Sequence, residues 1–327
     1  MVGSRYIAAA MTVAMLAIAG CGNDDSGDAS GGAAGEAITL GFAQVGAESG
    51  WRTANTKSVQ DSAKQAGITL KFSDAQQKQE NQIKAIRSYI QQRVDVIAFS
   101  PVVESGWDAV LNEAKRAKIP VILTDRAVDS QDTTLYKTFL GSDFVKEGKL
   151  VGEWVLEEFS DTKGEVGIAE LQGTTGSAPA IDRKQGFTDA LKADPKFKIS
   201  QSQDGEFTRA KGKEVMEAFL KSGKQIDLLF AHNDDMALGA IEAIEGAGLK
   251  PGEDIKIVSV DAVKDGMQAL ADGKINFIAE CNPLLGPQLM DLTQKVAAGE
   301  AVPQRVETEE TTFTSETAKA ALPERQY

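Results

Sequence analysis

Ten residues of this sequence could together bind a ligand rich in hydroxyl groups. They comprise three arginines, four carboxylates, one asparagine and two aromatic residues, which are Glu48, Trp51, Arg52, Asp125, Arg126, Arg183, Phe207, Asn233, Asp261 and Glu280. A hydroxyl both donates and accepts hydrogen bonds, so carboxylate or amide oxygens can accept its proton while an arginine donates to its oxygen. Hydrogen bonds to charged groups are also about twice as strong as neutral ones. An aromatic face can stack on the apolar face of a ring, so this set favours a small sugar.

The elements that would position these residues alternate between short β-type runs and amphipathic helical stretches. This alternation predicts an α/β fold with parallel sheets. The predicted strands are 38–42, 69–72, 95–99, 120–123, 136–140, 165–171, 197–203, 227–231, 255–260 and 277–279. The predicted helices are 50–66, 77–92, 107–117, 143–159, 180–191, 207–221, 234–247, 264–271 and 284–298. Two successive runs of five strands predict two similar lobes rather than one wide sheet.

Each of the ten polar or aromatic residues follows the end of a predicted strand. Ligands of open parallel sheets bind beyond the carboxyl ends of the strands, so we expect the ten side chains to converge there. Not every residue at these ends needs a ligand. Asp74, Asp143 and Asp204 suit turns and helix N-caps, where aspartate is favoured, and we predict that role for them.

The first residues of the chain predict export and lipid anchoring. Arg5 precedes an apolar run that is too short to span a bilayer but suits a signal peptide, here residues 1–20. The run ends in Ile18-Ala19-Gly20-Cys21, similar to the lipobox of bacterial lipoproteins, which makes Cys21 the predicted lipidation site. Residues 21–37 are rich in Gly, Ser, Ala and acid and predict a flexible tether. We therefore expect an extracytoplasmic protein held to the membrane by lipid alone.

Composition excludes several other classes of protein. The formal net charge is −13 and no Lys/Arg cluster occurs, so we expect no nucleic-acid partner. The single histidine, His232, disfavours metal sites and His-based catalysis, and we predict neither metal nor cofactor. Gly41 and Gly46 do not form a dinucleotide-binding fingerprint. Cys281 has no expected disulfide partner, and its apolar neighbours predict a buried structural residue.

Several long segments carry a specific resemblance to a known family. The segments AESGWR, QQKQENQIKAIRS, PVVESGW, ELQGTTGSAPAIDRKQGF, GEFTRAKGKEVME and AHNDDM resemble periplasmic sugar-binding proteins of the ribose and galactose type, and are most similar to galactofuranose binders of ABC importers. The resemblance runs from Ile38 to the C-terminus. Carried over position by position, it assigns sugar contacts to nine of the ten residues, and Glu280 occupies the hinge position where ribose binders carry an amide. Thr124 departs from the galactofuranose binders, which carry an apolar residue before the Asp-Arg pair.

The resemblance implies a type I periplasmic binding protein, with two Rossmann-like lobes joined by a three-strand hinge. The expected crossings lie near 140–142, 280–282 and 306–308. They give an N-terminal lobe of 38–140 plus 282–306 and a C-terminal lobe of 142–280 plus 308–327. The implied function is that of a monomeric substrate-binding lipoprotein that captures a monosaccharide by hinge closure and delivers it to a permease. Galactofuranose is the leading candidate for that monosaccharide.

The same residues and fold also admit other ligands and other functions. Arabinose, ribose or galactose would suit the same residues, and the fold is shared with sensor subunits of chemotaxis and signalling. Glu48, Asp125 and Asp261 could supply the two carboxylates of a glycosidase, but their Arg or amide neighbours favour binding, so we expect no enzyme. A transcription regulator of the same fold would need a DNA-reading helix where this chain has a signal peptide and an acidic tether.

Overall fold

The computed structural model describes residues 37–327. The predicted signal peptide, the lipidation site Cys21 and the predicted tether up to Glu36 lie outside the described residues. Within 37–327, no helix combines the length and the hydropathy needed to span a membrane.

The first lobe is built on a sheet with the order β11-β5-β4-β3-β1-β2, in which every pairing is parallel. The strands are β1 (Thr39–Gln44), β2 (Thr69–Asp74), β3 (Val96–Phe99), β4 (Val121–Thr124), β5 (Thr138–Gly141) and β11 (Arg305–Glu307). The helices between or beside them are α1 (Gly50–Gln65), α2 (Gln79–Gln91), α3 (Asp108–Arg116) and α9 (Gly286–Ala297). β3 and β4 are buried along their whole length, as expected for central parallel strands covered on both faces.

The second lobe repeats this arrangement in the order β12-β10-β9-β8-β6-β7. Its strands are β6 (Val166–Gln172), β7 (Phe197–Asp204), β8 (Leu228–Ala231), β9 (Lys256–Asp261), β10 (Phe277–Glu280) and β12 (Thr312–Phe313). Its helices are α4 (Phe144–Glu158), α5 (Ala178–Leu191), α6 (Arg209–Lys221), α7 (Asp234–Gly246), α8 (Lys264–Ala271) and α10 (Ser315–Ala321). β12 alone runs antiparallel, against β10.

The predicted architecture of two parallel-sheet lobes is confirmed, but the count of five strands in each lobe is wrong. Each sheet has six strands, because β11 and β12 add an edge to it. These two strands are only three and two residues long, and short polar edge strands give no clear alternation in sequence. The C-terminal helix α10 was also not predicted. Gly67, with φ of 67°, follows the end of α1 as the predicted C′ glycine.

The chain passes between the two sheets three times, after β5, after β10 and after β11. The apolar face of α9 therefore packs with the first sheet, although α9 follows β10 in sequence. The second lobe contains two apolar clusters, one around Phe187 and Phe230 and one around Met236 and Leu270. Each lobe thus has a core of its own, and the three passages carry the connection between them.

Candidate functional site

A small cavity of about 20 Å³ lies between the lobes at the carboxyl ends of the strands. That volume holds about one water molecule and is far below the roughly 300 Å³ typical of ligand pockets, so a sugar would fit there only if the lobes stood farther apart. Nine of the ten predicted residues line it, and Glu280 does not. The lining residues are Glu48, Ser49, Trp51, Arg52, Asp125, Arg126, Phe144, Pro179, Arg183, Phe207, Asn233, Asp261 and Cys281. The nine lie at or after the ends of six strands, β1, β4, β6, β7, β8 and β9, as the parallel-sheet argument required.

Three of the lining residues have a left-handed backbone, which is uncommon outside glycine. The φ angles of Asp125, Phe207 and Asp261 are 65°, 59° and 117°. Such conformations cost about 1–3 kcal/mol and cluster at functional sites. At Asp125 the chain also passes close to Gly141, where an added Cβ would lie 2.8 Å from the Asp125 carbonyl oxygen. The strained turns thus aim three side chains into the cavity.

The predicted helix beginning at Phe207 was wrong by two residues for this reason. Phe207 and Glu206 both have positive φ, so helix α6 begins only at Arg209. Thr208 caps it by accepting a hydrogen bond from the Lys211 N–H at 3.2 Å. Phe207 is consequently free to turn its ring toward the cavity, and the absent side chain of Gly173 leaves space for that ring.

In the first lobe, Arg52 holds two carboxylates together. Its Nε donates to Glu48 Oε1 at 3.0 Å and its Nη2 donates to Asp125 Oδ2 at 2.7 Å. Burial by itself would lower the pKa of Arg52, but the charges of Asp125 and Glu48 outweigh it and raise the pKa. The second carboxylate oxygen of Glu48 is buried and has no hydrogen-bond partner within the described chain. Glu48 therefore offers a free acceptor to the cavity.

Arg126, in contrast, donates no hydrogen bond to a carboxylate. Its Nη1 donates to the Val102 carbonyl at 3.2 Å, while its nearest carboxylate oxygens lie 3.6 and 3.8 Å away. Its buried Nε has no partner within 37–327. Burial and the neighbouring Arg52 lower the pKa of Arg126 to about 10. A buried, unpaired N–H carries the full cost of desolvation, so Arg126 is suited to donating to a ligand.

In the second lobe, Arg183 lies among carboxyl groups. Its Nε donates to Glu147 at 2.7 Å, its Nη1 donates to the His232 carbonyl at 2.6 Å, and its Nη2 lies 3.6 Å from Asp261. Burial raises the pKa of Asp261 well above its usual value; the charges of Asp234 and Glu147 add to this, and Arg183 opposes it. The second lobe therefore presents an arginine beside a carboxyl group that is inclined to hold a proton.

The two aromatic residues lie where one lobe meets the other. Trp51, from the first lobe, packs into an apolar cluster of the second lobe and donates its Nε1–H to the Cys281 carbonyl at 2.7 Å. The Phe207 ring lies 5.3 Å from the Arg126 guanidinium, which belongs to the opposite lobe. Stacking of Trp51 on a sugar stays a prediction, and the structure also gives the residue a packing role in this apolar cluster.

Asn233 and Glu280 also have structural duties. The Asn233 side chain caps α7 by accepting from the Met236 N–H at 3.0 Å. The placement expected for Glu280 is corrected: its carboxylate accepts from Arg325 at 2.7 Å and from the Tyr327 hydroxyl at 2.8 Å, away from the cavity. Its neighbour Cys281 lines the cavity instead and is buried, as predicted for that thiol.

Sequence patterns did not identify four of the lining residues, which are Ser49, Phe144, Pro179 and Cys281. Ser49 caps α1, while Phe144 and Pro179 lie in the first turns of α4 and α5. Helix starts point at the same edge as strand ends, and that rule could have found all three of these residues. The three aspartates expected to serve turns and caps do so, each accepting from a backbone N–H within three residues.

One carboxylate joins the three passages of the chain. Glu310 Oε1 accepts from the Ser142 hydroxyl after β5, from the Asn282 N–H after β10 at 3.1 Å, and from the Thr308 hydroxyl after β11 at 2.9 Å. Burial raises the pKa of Glu310, although these donors oppose it. Together with Glu147 and Cys281 it forms the one group of three potential metal ligands found within 37–327. Arg183 already supplies a cation there, so we assign no metal.

The lobes also touch directly at the rims of the cavity. The Gly50 N–H at the start of α1 donates to the Asp235 carboxylate of α7 at 2.7 Å. On the other side, the Glu104 N–H donates to the Gly176 carbonyl at 2.9 Å. A larger, more open groove lies beside the first of these contacts. Two buried polar atoms without partners among the described residues, Glu48 Oε2 and Arg126 Nε, belong to residues that line the smaller cavity, and we place the ligand site there.

Comparison with known proteins agrees with this geometry. The model of the family described as "Periplasmic binding protein domain" matches residues 40–301. The galactofuranose-binding protein YtfQ of Escherichia coli is 48% identical over 289 residues, which cover 87% of this chain and 90% of that protein.

Two solved structures extend the comparison. A Mycobacterium smegmatis protein in complex with β-D-fucofuranose is 66% identical, with a TM-score of 0.88, covering 89% of this chain and 96% of that one. The arabinose-binding component from Shewanella sp. ANA-3, bound to L-arabinofuranose, is 51% identical, with a TM-score of 0.84, covering 88% and 96%. The predicted type I fold is confirmed, and the chain belongs to the periplasmic binding protein family.

Proposed function

We propose that this chain is the substrate-binding protein of an ABC sugar importer and that it binds a furanose in the cavity between its lobes. Galactofuranose is the leading candidate for this furanose. The observation that carries the proposal is the pair of unpartnered buried groups in the first-lobe wall, the acceptor Glu48 Oε2 and the donor Arg126 Nε. One ring hydroxyl can satisfy either group, and the second lobe adds Arg183 and Asp261. The relatives crystallised with fucofuranose and arabinofuranose support the furanose ring.

The proposed mechanism is closure around the sugar. The N-terminal lobe would comprise 38–140 plus 282–306 and the C-terminal lobe 142–280 plus 308–327, rotating about the three passages. Sugar that bridges the lobes favours the closed arrangement only through contacts that the open one lacks. In this proposal the protein acts outside the cytoplasm, as its family implies, as a monomer anchored through Cys21, and the closed form is what a permease recognises.

Binding can be tested with a panel of free sugars, each of which contains some furanose in solution. D-galactose, D-fucose, L-arabinose and D-ribose are compared by thermal shift and calorimetry, since a ligand of the folded state raises the melting temperature. We expect stabilisation by galactose and fucose, lost in Arg126→Gln and kept in Arg87→Gln, whose side chain forms an exposed pair with Glu113. Binding of ribose alone would replace the sugar assignment, and no binding at all would contradict the function.

Ring form can be read directly from the bound sugar. The anomeric carbon of [1-¹³C]-galactose resonates at different positions in furanose and pyranose rings, so its spectrum on the protein reports which ring is held. We expect enrichment of the furanose signal, and a pyranose signal alone would overturn the furanose proposal.

We propose that the chain has no glycosidase activity, because Arg52 already pairs with both Glu48 and Asp125. p-Nitrophenyl β-D-galactofuranoside should release no nitrophenolate beyond the blank. Multiple turnovers that disappear in Asp125→Asn would contradict this.

A further inference from the structure

Glu147 is among the most deeply buried charged residues of the chain, yet it does not line the cavity. It lies in the first turn of α4 with 2% of its surface exposed. One carboxyl oxygen accepts from Arg183 Nε at 2.7 Å, and the other has no hydrogen-bond partner among the described residues. Taking a carboxyl group out of water costs several kcal/mol. Such a group is expected to serve a purpose beyond solubility or helix formation.

The hydrogen bond to Glu147 holds Arg183 on the side that faces away from the cavity. A guanidinium has five N–H donors in a rigid fork. The Nε–H is taken by Glu147, and one Nη1 donor is taken by the His232 carbonyl at 2.6 Å. The remaining donors face Asp261 and the cavity. Because Nε and Nη1 of the guanidinium are both held by acceptors, its remaining N–H groups have one orientation toward a bound molecule.

Helix packing does not need Glu147. Helices α4 and α5 approach closely at two glycines, where an added Cβ on Gly148 would lie 2.1 Å from the Arg183 carbonyl oxygen and one on Gly186 would lie 2.0 Å from that of Val145. Backbones that close remain in contact whichever side chain stands at 147. The buried carboxyl group is therefore not explained by the meeting of the two helices.

We propose that Glu147 is a positioning residue for sugar binding, which acts on the ligand only through Arg183. The proposal rests on the proposed function for its ligand, but the geometry of Arg183 can be tested without one. The variants are Glu147→Ala, which removes the acceptor, and Glu147→Gln, which keeps an acceptor oxygen. The matched control is Glu153→Gln, the same change on an exposed face of the same helix.

The first measurement is calorimetry with D-galactose. Glu147→Ala should raise Kd by about tenfold or more, Glu147→Gln should raise it less, and the control should stay within about twofold of the parent. Combining Glu147→Ala with Arg183→Lys separates a positioning role from a general one. If Glu147 acts through Arg183, its removal adds little in that background, whereas a purely structural loss would add in full.

The second measurement needs no sugar. The Arg183 Nε–H signal, assigned by its disappearance in Arg183→Lys, should exchange slowly with water in the parent and in the control, and rapidly in Glu147→Ala. An unchanged signal, an unchanged Kd in Glu147→Ala, or full additivity in the double variant would each overturn the proposal. If the parent protein binds none of the sugars, the proposed function fails, and the exchange of this N–H still decides whether Glu147 positions Arg183.

Discussion

The two walls of the cavity differ in how their charges balance. In the first-lobe wall, two arginines face two carboxylates, and Arg52 alone bonds to both Glu48 and Asp125. In the second-lobe wall, a single arginine, Arg183, faces Asp261, and it also pairs with Glu147, which lies behind the wall. The first wall therefore satisfies most of its own charges, whereas the second has more carboxyl groups than it can neutralise.

This difference gives the walls complementary roles toward a hydroxyl group. The first wall keeps a free donor in Arg126, and the second keeps a carboxyl group, Asp261, whose pKa burial raises. A hydroxyl that accepts from one wall and bonds to the other links the lobes. We infer that neither wall alone would bind a sugar tightly, and the following changes should break or sharpen this contrast.

The largest effect is expected from Arg183→Ala. It leaves Glu147 and Asp261 buried without their cation, and breaking a buried pair costs about 3–5 kcal/mol. Sugar affinity should fall by a factor of about ten to a hundred or more, since bonds to charged groups contribute about 1.5–3 kcal/mol. Urea unfolding and calorimetry measure the two losses. Parent-like affinity in this variant would remove Arg183 from the site.

Arg52 and Arg126 should separate stability from affinity within the first wall. Arg52→Ala leaves two buried carboxylates unpaired and should cost about 3–5 kcal/mol of unfolding free energy. Arg126→Ala removes a group that donates no hydrogen bond to a carboxylate and should change stability by less than about 1 kcal/mol while lowering affinity by about tenfold or more. The same two assays apply, and equal losses of stability would contradict the assigned roles.

A pH dependence should distinguish the second wall. Burial raises the pKa of Glu147 to about 8, and Glu310 adds to this while Arg183 opposes it. Because the unfolded chain releases this proton near pH 4.5 and the folded protein near pH 8, stability falls as pH rises through that interval, by at most about 1.4 kcal/mol per pH unit.

Between pH 5 and 8, the unfolding free energy of Glu147→Gln, measured with urea, should therefore fall less than that of the parent protein. Both pH values lie within the interval of about 4.5 to 8 in which the folded and unfolded states differ in protonation of Glu147. Some slope should remain, because burial also raises the pKa values of Asp261 and Asp234. The buried His232 has the opposite effect below its ordinary value of 6.5, since its pKa is lowered by burial. Identical slopes in parent and variant would contradict the assignment.

The smallest effect is expected at Thr124. Its hydroxyl is buried at the end of β4 without a partner among the described residues. Thr124→Val removes that unpaired group at similar volume and should raise the unfolding free energy by about 1 kcal/mol. A denaturation midpoint below that of the parent would show that the hydroxyl has an unrecognised partner.

Sequence patterns predicted the site better than its supports. Strand-end position was sufficient to bring Asp125, Arg183 and Asp261 together, because parallel sheets place all their carboxyl ends at one edge. Glu147 gave no such signal, since an acid in the first turn of a helix is explained by the helix dipole. Glu280 was misplaced for a different reason: its partners Arg325 and Tyr327 follow it by more than forty residues. Contacts of that range depend on tertiary packing.

The bonding of Glu310 has a consequence for the proposed closure of the lobes. Three independent linking segments would permit twisting and sliding as well as bending. We infer that, if the lobes close as proposed, segments that all donate to one carboxylate oxygen would turn together, which would leave the motion a single dominant degree of freedom. Related furanoses that differ by one hydroxyl would then bring the outer surfaces of the lobes to the same final arrangement. The identity of the sugar would affect how often that arrangement is reached and leave its shape unchanged.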